Sequence, residues 1–194
     1  MHLFKSKESI GMLFGIFAYL SFSILDTIQN AYQMYPDATL ISFQLLKTKD
    51  KFYKKYPDES IRLRSRGNPF MLSSSEISIN VEKIKQNGLQ FSEYFGLGAT
   101  FTSCEETLFL RSLLKRNLKA FFVDQPIAIH KNEGTGHDPL GNEFIRAMSA
   151  CQFFMYGYGS FIWLIYYLYK MKKTGSVSHH QLKKAFKCGL KGIS

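Results

Sequence analysis

Residues 91–130 read FSEYFGLGATFTSCEETLFLRSLLKRNLKAFFVDQPIAIH. The stretch holds a glycine-bearing loop, Phe95-Gly96-Leu97-Gly98-Ala99, and then two adjacent carboxylates, Glu105 and Glu106. Leu108, Leu110, Leu113 and Leu114 recur at helical spacing, with Arg111, Lys115 and Arg116 toward the end, which predicts an amphipathic helix. Ser103 is the expected N-cap, because its hydroxyl can accept from a free first-turn N–H, and Ser103 to Glu106 has the capping-box spacing. Both acids then sit where the helix dipole favours negative charge. Asn117 predicts the helix stop. Residues 120–123 predict a short buried strand, Asp124-Gln125-Pro126 a turn, and residues 127–130 a second extended piece ending at His130.

Working outward, residues 40–45 and 76–80 predict strands by composition and alternation. Residues 81–86 predict a short helix closed by Asn87-Gly88. Residues 47–55 read as a basic loop or helix, and 56–69 as irregular, with Arg62, Arg64 and Arg66 alternating. The polar, glycine-containing run 131–139 predicts a surface loop. Residues 147–169 carry no charge and are long enough to cross a bilayer. Gln152, two glycines, two serines and five tyrosines dilute the run, which suits a helix lying in a membrane surface or packing internally. Residues 178–194 read as a basic amphipathic helix. Residues 10–25 are uncharged after Lys5 and Lys7, and fit a signal-peptide core, a short anchor or a buried strand.

The 194-residue chain is 45% hydrophobic with a formal charge of +10, which is enough for a real core and favours anionic partners such as lipid or a phosphorylated substrate. No nucleic-acid-binding signature accompanies the charge. Cys104, Cys151 and Cys188 are odd in number and far apart, which argues against a disulfide framework or a zinc site.

The order of motifs in 91–130 resembles the C-terminal half of the catalytic domain of family-two inverting glycosyltransferases with the GT-A fold. That family has a phrase like F-D-E-x-F-G-x-G, an acidic pair opening a helix, a K-x-G-x-K turn, a strand, a proline and a histidine. The matching residues are Phe91, Glu93, Phe95, Gly96, Gly98, Glu105, Glu106, Lys119, Pro126 and His130, with Ser92 and Asn117 as departures. Residues 35–44 and 74–79 are similar to the family too, and the resemblance covers roughly 28–136. It implies an α/β chain organised as an atypical apolar N-terminus (1–25), a partial GT-A, Rossmann-like domain (26–145) and an aromatic, membrane-associated or packing helical segment with a basic tail (146–194).

The resemblance further implies sugar transfer from a nucleotide-sugar donor to a polysaccharide or glycolipid acceptor. Glu106 would be the general base, Glu105 would support it or bind acceptor, and Gly96 and Gly98 would let backbone approach the substrate. A carboxylate beside another carboxylate holds a proton more readily, which suits base work. His130 would contact the metal or diphosphate, and the intact family uses a divalent cation, Mg or Mn, held by an Asp-x-Asp cluster. Where that cluster would fall the chain reads Phe17-Ala18-Tyr19-Leu20-Ser21-Phe22-Ser23. The chain is therefore expected to be a truncated member that turns over no sugar nucleotide by itself. Its expected place is the cytoplasmic face of a membrane, peripheral or with one C-terminal span. The alternative is a non-catalytic, membrane-associated interaction protein, and a weaker one is a membrane protein with two spans.

Overall fold

A computed structural model describes residues 23–64, 72–129, 141–173 and 178–193. It is a mixed α/β structure. The described residues form two compact units, one from those before 88 together with 113–129, the other from 88–112 together with those from 141 onward.

The first unit is built on β1 (Ala38–Thr48), whose first eight residues are all buried. One edge of β1 pairs in parallel with β5 (Lys119–Ile129). The other edge takes two short antiparallel partners, β4 (Ile77–Ile79) against Leu40–Ser42 and β2 (Lys51–Phe52) near Leu46 and Thr48. A fifth strand, β3 (Ile61–Arg62), pairs antiparallel with Phe121 and Phe122 of β5. A strand flanked on both edges and covered on its faces is expected to be mostly apolar, and β1 buries Ala38, Leu40, Ile41, Phe43 and Leu45, with Thr39, Ser42 and Gln44 buried among them. A helix over residues 23–34 (α1) packs Ile28, Ala31 and Tyr32, at i, i+3 and i+4, against Ile41, Phe43 and Val123. Tyr35 stacks on Phe121 with ring centroids 4.3 Å apart.

Residues 47–55, read from sequence as a basic loop or helix, instead complete the β1–β2 hairpin. The expected turn at Asp124-Gln125-Pro126 is also corrected, because β5 runs through it. Between the Ser42–Phe122 and Gln44–Pro126 pairs, β1 advances two residues while β5 advances four. The extra residues form a bulge, and Asp124, Gln125 and Pro126 are exposed there, a setting that tolerates a proline lacking its N–H. Helix α2 (Val81–Gln86) matches its expected bounds, with the Asn80 side chain accepting from Lys83 N at 3.0 Å.

Helix α3 (Glu105–Lys115) ends as the sequence indicates. Asn117 has φ +59°. Its N–H donates to Leu114 O, and Leu118 N–H donates to Leu113 O at 3.2 Å, which together make a Schellman cap. Asn117→Gly should keep the fold at parent stability or slightly above it. Asn117→Val, with a branched side chain in the left-handed region, should lose about 1–2 kcal/mol, read from urea unfolding.

The second unit is mainly helical. The 23-residue uncharged run is not one helix: α4 (Asn142–Tyr156) and α5 (Ser160–Lys173) are separated by a 3-10 turn, Gly157–Gly159, with Gly157 at φ +57°. Among the described residues no helix is long and apolar enough to cross a membrane. Helix α6 (His179–Ile193) is the expected basic amphipathic helix. The three helices share a core of Ile145, Leu164, Leu168, Ala185 and Ile193. Gly189 and Gly192 bring α6 against α4 and α5: a methyl group at Gly189 would lie 2.6 Å from Leu164 Cδ1, and one at Gly192 would overlap the Arg146 carbonyl.

Candidate functional site

The glycine loop folds back on itself within the second unit. Gly96 N–H donates to Phe101 O at 2.8 Å, Phe101 N–H to Tyr94 O at 2.9 Å, and Ala99 N–H to Gly96 O at 3.1 Å. Gly96 and Gly98 take φ of +121° and +83°, which a side chain would oppose. Gly96 is also placed by contact, since a Cβ there would lie 3.4 Å from Glu105 Cδ. At Gly98 a Cβ would meet nothing within 4 Å, so this part of the loop faces open space, with Leu97 and Tyr94 exposed beside it.

Beneath the loop, Phe95 stacks on Phe101 at 4.8 Å and Phe91 stacks on Phe109 of α3 at 4.1 Å. These pairs tie the loop to the helix that carries the acids. Phe95 and Cys104 also join Met148, Ala150 and Cys151 in an apolar cluster. Arg111 fastens α3 to the end of α4: its Nη2 donates to Met155 O at 2.8 Å and its guanidinium lies 4.6 Å from the Tyr156 ring centre. A cation on a last-turn carbonyl of α4 is favoured by that helix's dipole.

The expected N-cap is corrected. Leu108 N–H donates to Cys104 O, so the cap residue is Cys104, at φ +82°, rather than Ser103. Cys104 is buried, with its Sγ 3.2 Å from Met148 Sδ. The Cys104 and Cys151 thiols share a hydrogen bond, which holds Cys104 below its usual range and pushes Cys151 up.

The two acids of the pair have different surroundings. Glu106 is buried in the first turn of α3. Glu105 lies against Gly96, and its Oε2 is buried with no hydrogen-bond partner among the described residues. A buried carboxylate oxygen without a partner has a costly desolvation to offset, and a donor from a bound ligand would offset it. The structure therefore brings Gly96 against Glu105, with Glu106 one residue on; Gly98 lies further along the same loop, facing open space, and His130 lies outside the described residues. Among the described residues no three His, Cys, Asp or Glu side chains converge to hold a metal ion.

A second polar cluster, in the first unit, gave no signal in the sequence. Glu76 is fully buried beside β4. Its Oε1 accepts from Lys54 Nζ at 2.6 Å and Ser73 N at 2.9 Å, and its Oε2 accepts from Tyr56 OH at 2.9 Å. Tyr56 OH in turn accepts from Leu45 N. Burial raises the Glu76 pKa despite Lys54, Tyr56 and Ser73, which all lower it. The triad joins the loop after β2, the 3-10 turn Ser74–Glu76 and β1, a structural task that a Glu after three serines does not advertise in sequence. In comparisons with protein-family models, curated proteins and solved structures, no match was found.

Proposed function

We propose that this chain carries the acceptor and base side of a family-two-like, GT-A-type inverting glycosyltransferase, acting in polysaccharide or glycolipid synthesis at a membrane surface. The observation that supports this reading is the seating of Gly96 on Glu105. The backbone of an open, glycine-shaped loop lies directly over one of two adjacent acids at a helix start. In this reading a sugar hydroxyl enters beside the open part of the loop at Gly98 and finds a carboxylate for its proton.

In this reading the acceptor hydroxyl attacks the anomeric carbon of the donor. Glu106 takes the hydroxyl proton as the new C–O bond forms, and the electron pair of the breaking bond leaves with the nucleoside diphosphate. Attack from the face opposite the leaving group inverts the anomeric centre. Glu105 orients the acceptor through its partnerless oxygen. The nucleotide-sugar donor is held by groups outside this loop.

The test is acceptor recognition. Saturation-transfer difference NMR with a panel of oligosaccharides and glycolipid headgroups should find a binder. Glu105→Gln should weaken that binder about 10–100-fold, the loss of one hydrogen bond to a charged group, with circular dichroism unchanged. Glu106→Gln should leave binding within a few-fold, because its role is in the transfer step. A panel with no binder would count against the reading, and so would a binder indifferent to Glu105. Metal-dependent hydrolysis of a sugar nucleotide by the purified chain would contradict the assignment of the donor site to other groups.

A further inference from the structure

Helix α5 has two opposite faces. Ser160, Leu164 and Leu168 point into the helical core. On the other side Ile162, Ile165, Tyr166 and Tyr169 are exposed by 75%, 61%, 62% and 62%. These four stand at i, i+3, i+4 and i+7, so they form one continuous apolar and aromatic stripe. Lys172 and Lys173, at i+10 and i+11, are exposed and carry the same stripe one turn further.

The charge along the sequence from Phe144 onward has one sign. From Phe144 to the last residue the sequence contains no Asp or Glu, against Arg146, Lys170, Lys172, Lys173 and four lysines in α6. A protein partner with an ordinary mixed surface would find nothing basic-seeking to separate it from other proteins. An anionic surface with apolar depth complements both halves of the stripe at once. Tyrosine, isoleucine and lysine in this arrangement are the residues that settle at the boundary between lipid headgroups and acyl chains.

Length decides the orientation. The 14 residues of α5 extend only about 21 Å, short of the roughly 30 Å hydrocarbon core. We infer that the exposed face of α5 docks in the plane of an anionic phospholipid membrane, with Ile162, Ile165, Tyr166 and Tyr169 entering below the headgroups and Lys172 and Lys173 on the lipid phosphates. This deepens the membrane-surface part of the proposed function, but it uses no residue of the sugar site. Glu105→Gln and Glu106→Gln should dock like the parent, so either reading can fail while the other stands.

Flotation of the full chain on sucrose gradients tests this. The chain should rise with phosphatidylcholine–phosphatidylglycerol vesicles and stay at the bottom with phosphatidylcholine alone. Ile165→Asn with Tyr166→Ser should abolish flotation. Lys172→Gln with Lys173→Gln, a change that leaves the apolar stripe whole, should weaken it roughly thirtyfold, about fivefold per lysine, and added salt should do the same. The inference is overturned if the parent fails to float on anionic vesicles, or if the stripe variant floats as well as the parent. It is also overturned if the stripe variant merely converts a dimer to a monomer in gel filtration, which would assign the face to a second copy of the chain.

Discussion

Glu76→Ala should cost about 3–5 kcal/mol of folding stability, the range for breaking a buried, hydrogen-bonded ion pair from one side. Alanine removes the acceptor of three donors together: Lys54 Nζ, the Tyr56 hydroxyl and Ser73 N–H. Lys54 keeps some access to water, since its side chain is 24% exposed. The Tyr56 hydroxyl is buried and the Ser73 N–H partly so, and each loses its bond to Glu76. Urea unfolding followed by circular dichroism reads the difference. Glu76→Gln keeps the shape and an acceptor oxygen, so it should cost much less than Ala.

The pH dependence has a definite sign. Burial raises the Glu76 pKa in the folded chain above its usual value of 4.5. A raised folded pKa means that folding favours the protonated acid. This increment of stability is fully present below the unfolded pKa and is lost as pH rises through the folded pKa. Glu76→Gln does not titrate, so the gap between it and the parent should move in favour of Gln across that interval. A gap that stays constant there would mean that Lys54 and the other donors fully offset the burial of the charge.

The second large effect belongs to the α4–α6 crossing. On an isolated helix, replacing Gly192 by Ala would gain about 1 kcal/mol. Here the added carbon overlaps the Arg146 carbonyl oxygen and lies 3.0 Å from its carbon and 3.1 Å from Ala150 N. All three are backbone atoms of α4, which cannot turn aside as a side chain can. Gly192→Val should therefore destabilise the helical unit by about 3 kcal/mol, at the upper end of overpacking. Gly189→Ala should be milder, because its nearest obstacle is the end of the Leu164 side chain. Relief at Gly192 means parting the helices or peeling off the last turn of α6, and either exposes Ile193. A Gly192→Val chain with parent stability would contradict this close crossing.

Much of the fold is written in local pattern. Leu108 to Leu114, the Asn80 cap of α2, the Asn117 stop and the strand composition of residues 40–45 all name their structure, because each depends on neighbours within a few residues. What the sequence hides is set by distant partners. The bulge at Asp124-Gln125-Pro126 is defined by the pairing of β5 with β1 on either side of it, and nothing local distinguishes it from a turn. The position of Cys104 at φ +82° follows from the loop closing onto α3. A cysteine gives no hint of that conformation, whereas Ser103 offers a familiar cap. The break at Gly157–Gly159 had visible glycines, yet glycines also occur inside helices. At the site, the acid pair and the two glycines were legible as residues, and their contact through Gly96 and Glu105 was not. Glu76 gave no periodic signal because its burial depends on Tyr56 and Lys54, about 20 residues away.

In the proposed reading a saccharide acceptor sits at the Gly96–Gly98 loop and the first turn of α3. Amide hydrogen–deuterium exchange, recorded with and without a saccharide that binds the chain, tests it most directly. Slower exchange is expected to be confined to residues 94–108, including Gly96, Gly98 and the amides of the Glu105–Glu106 turn. Protection confined to α5 or α6, with residues 94–108 unchanged, would contradict it.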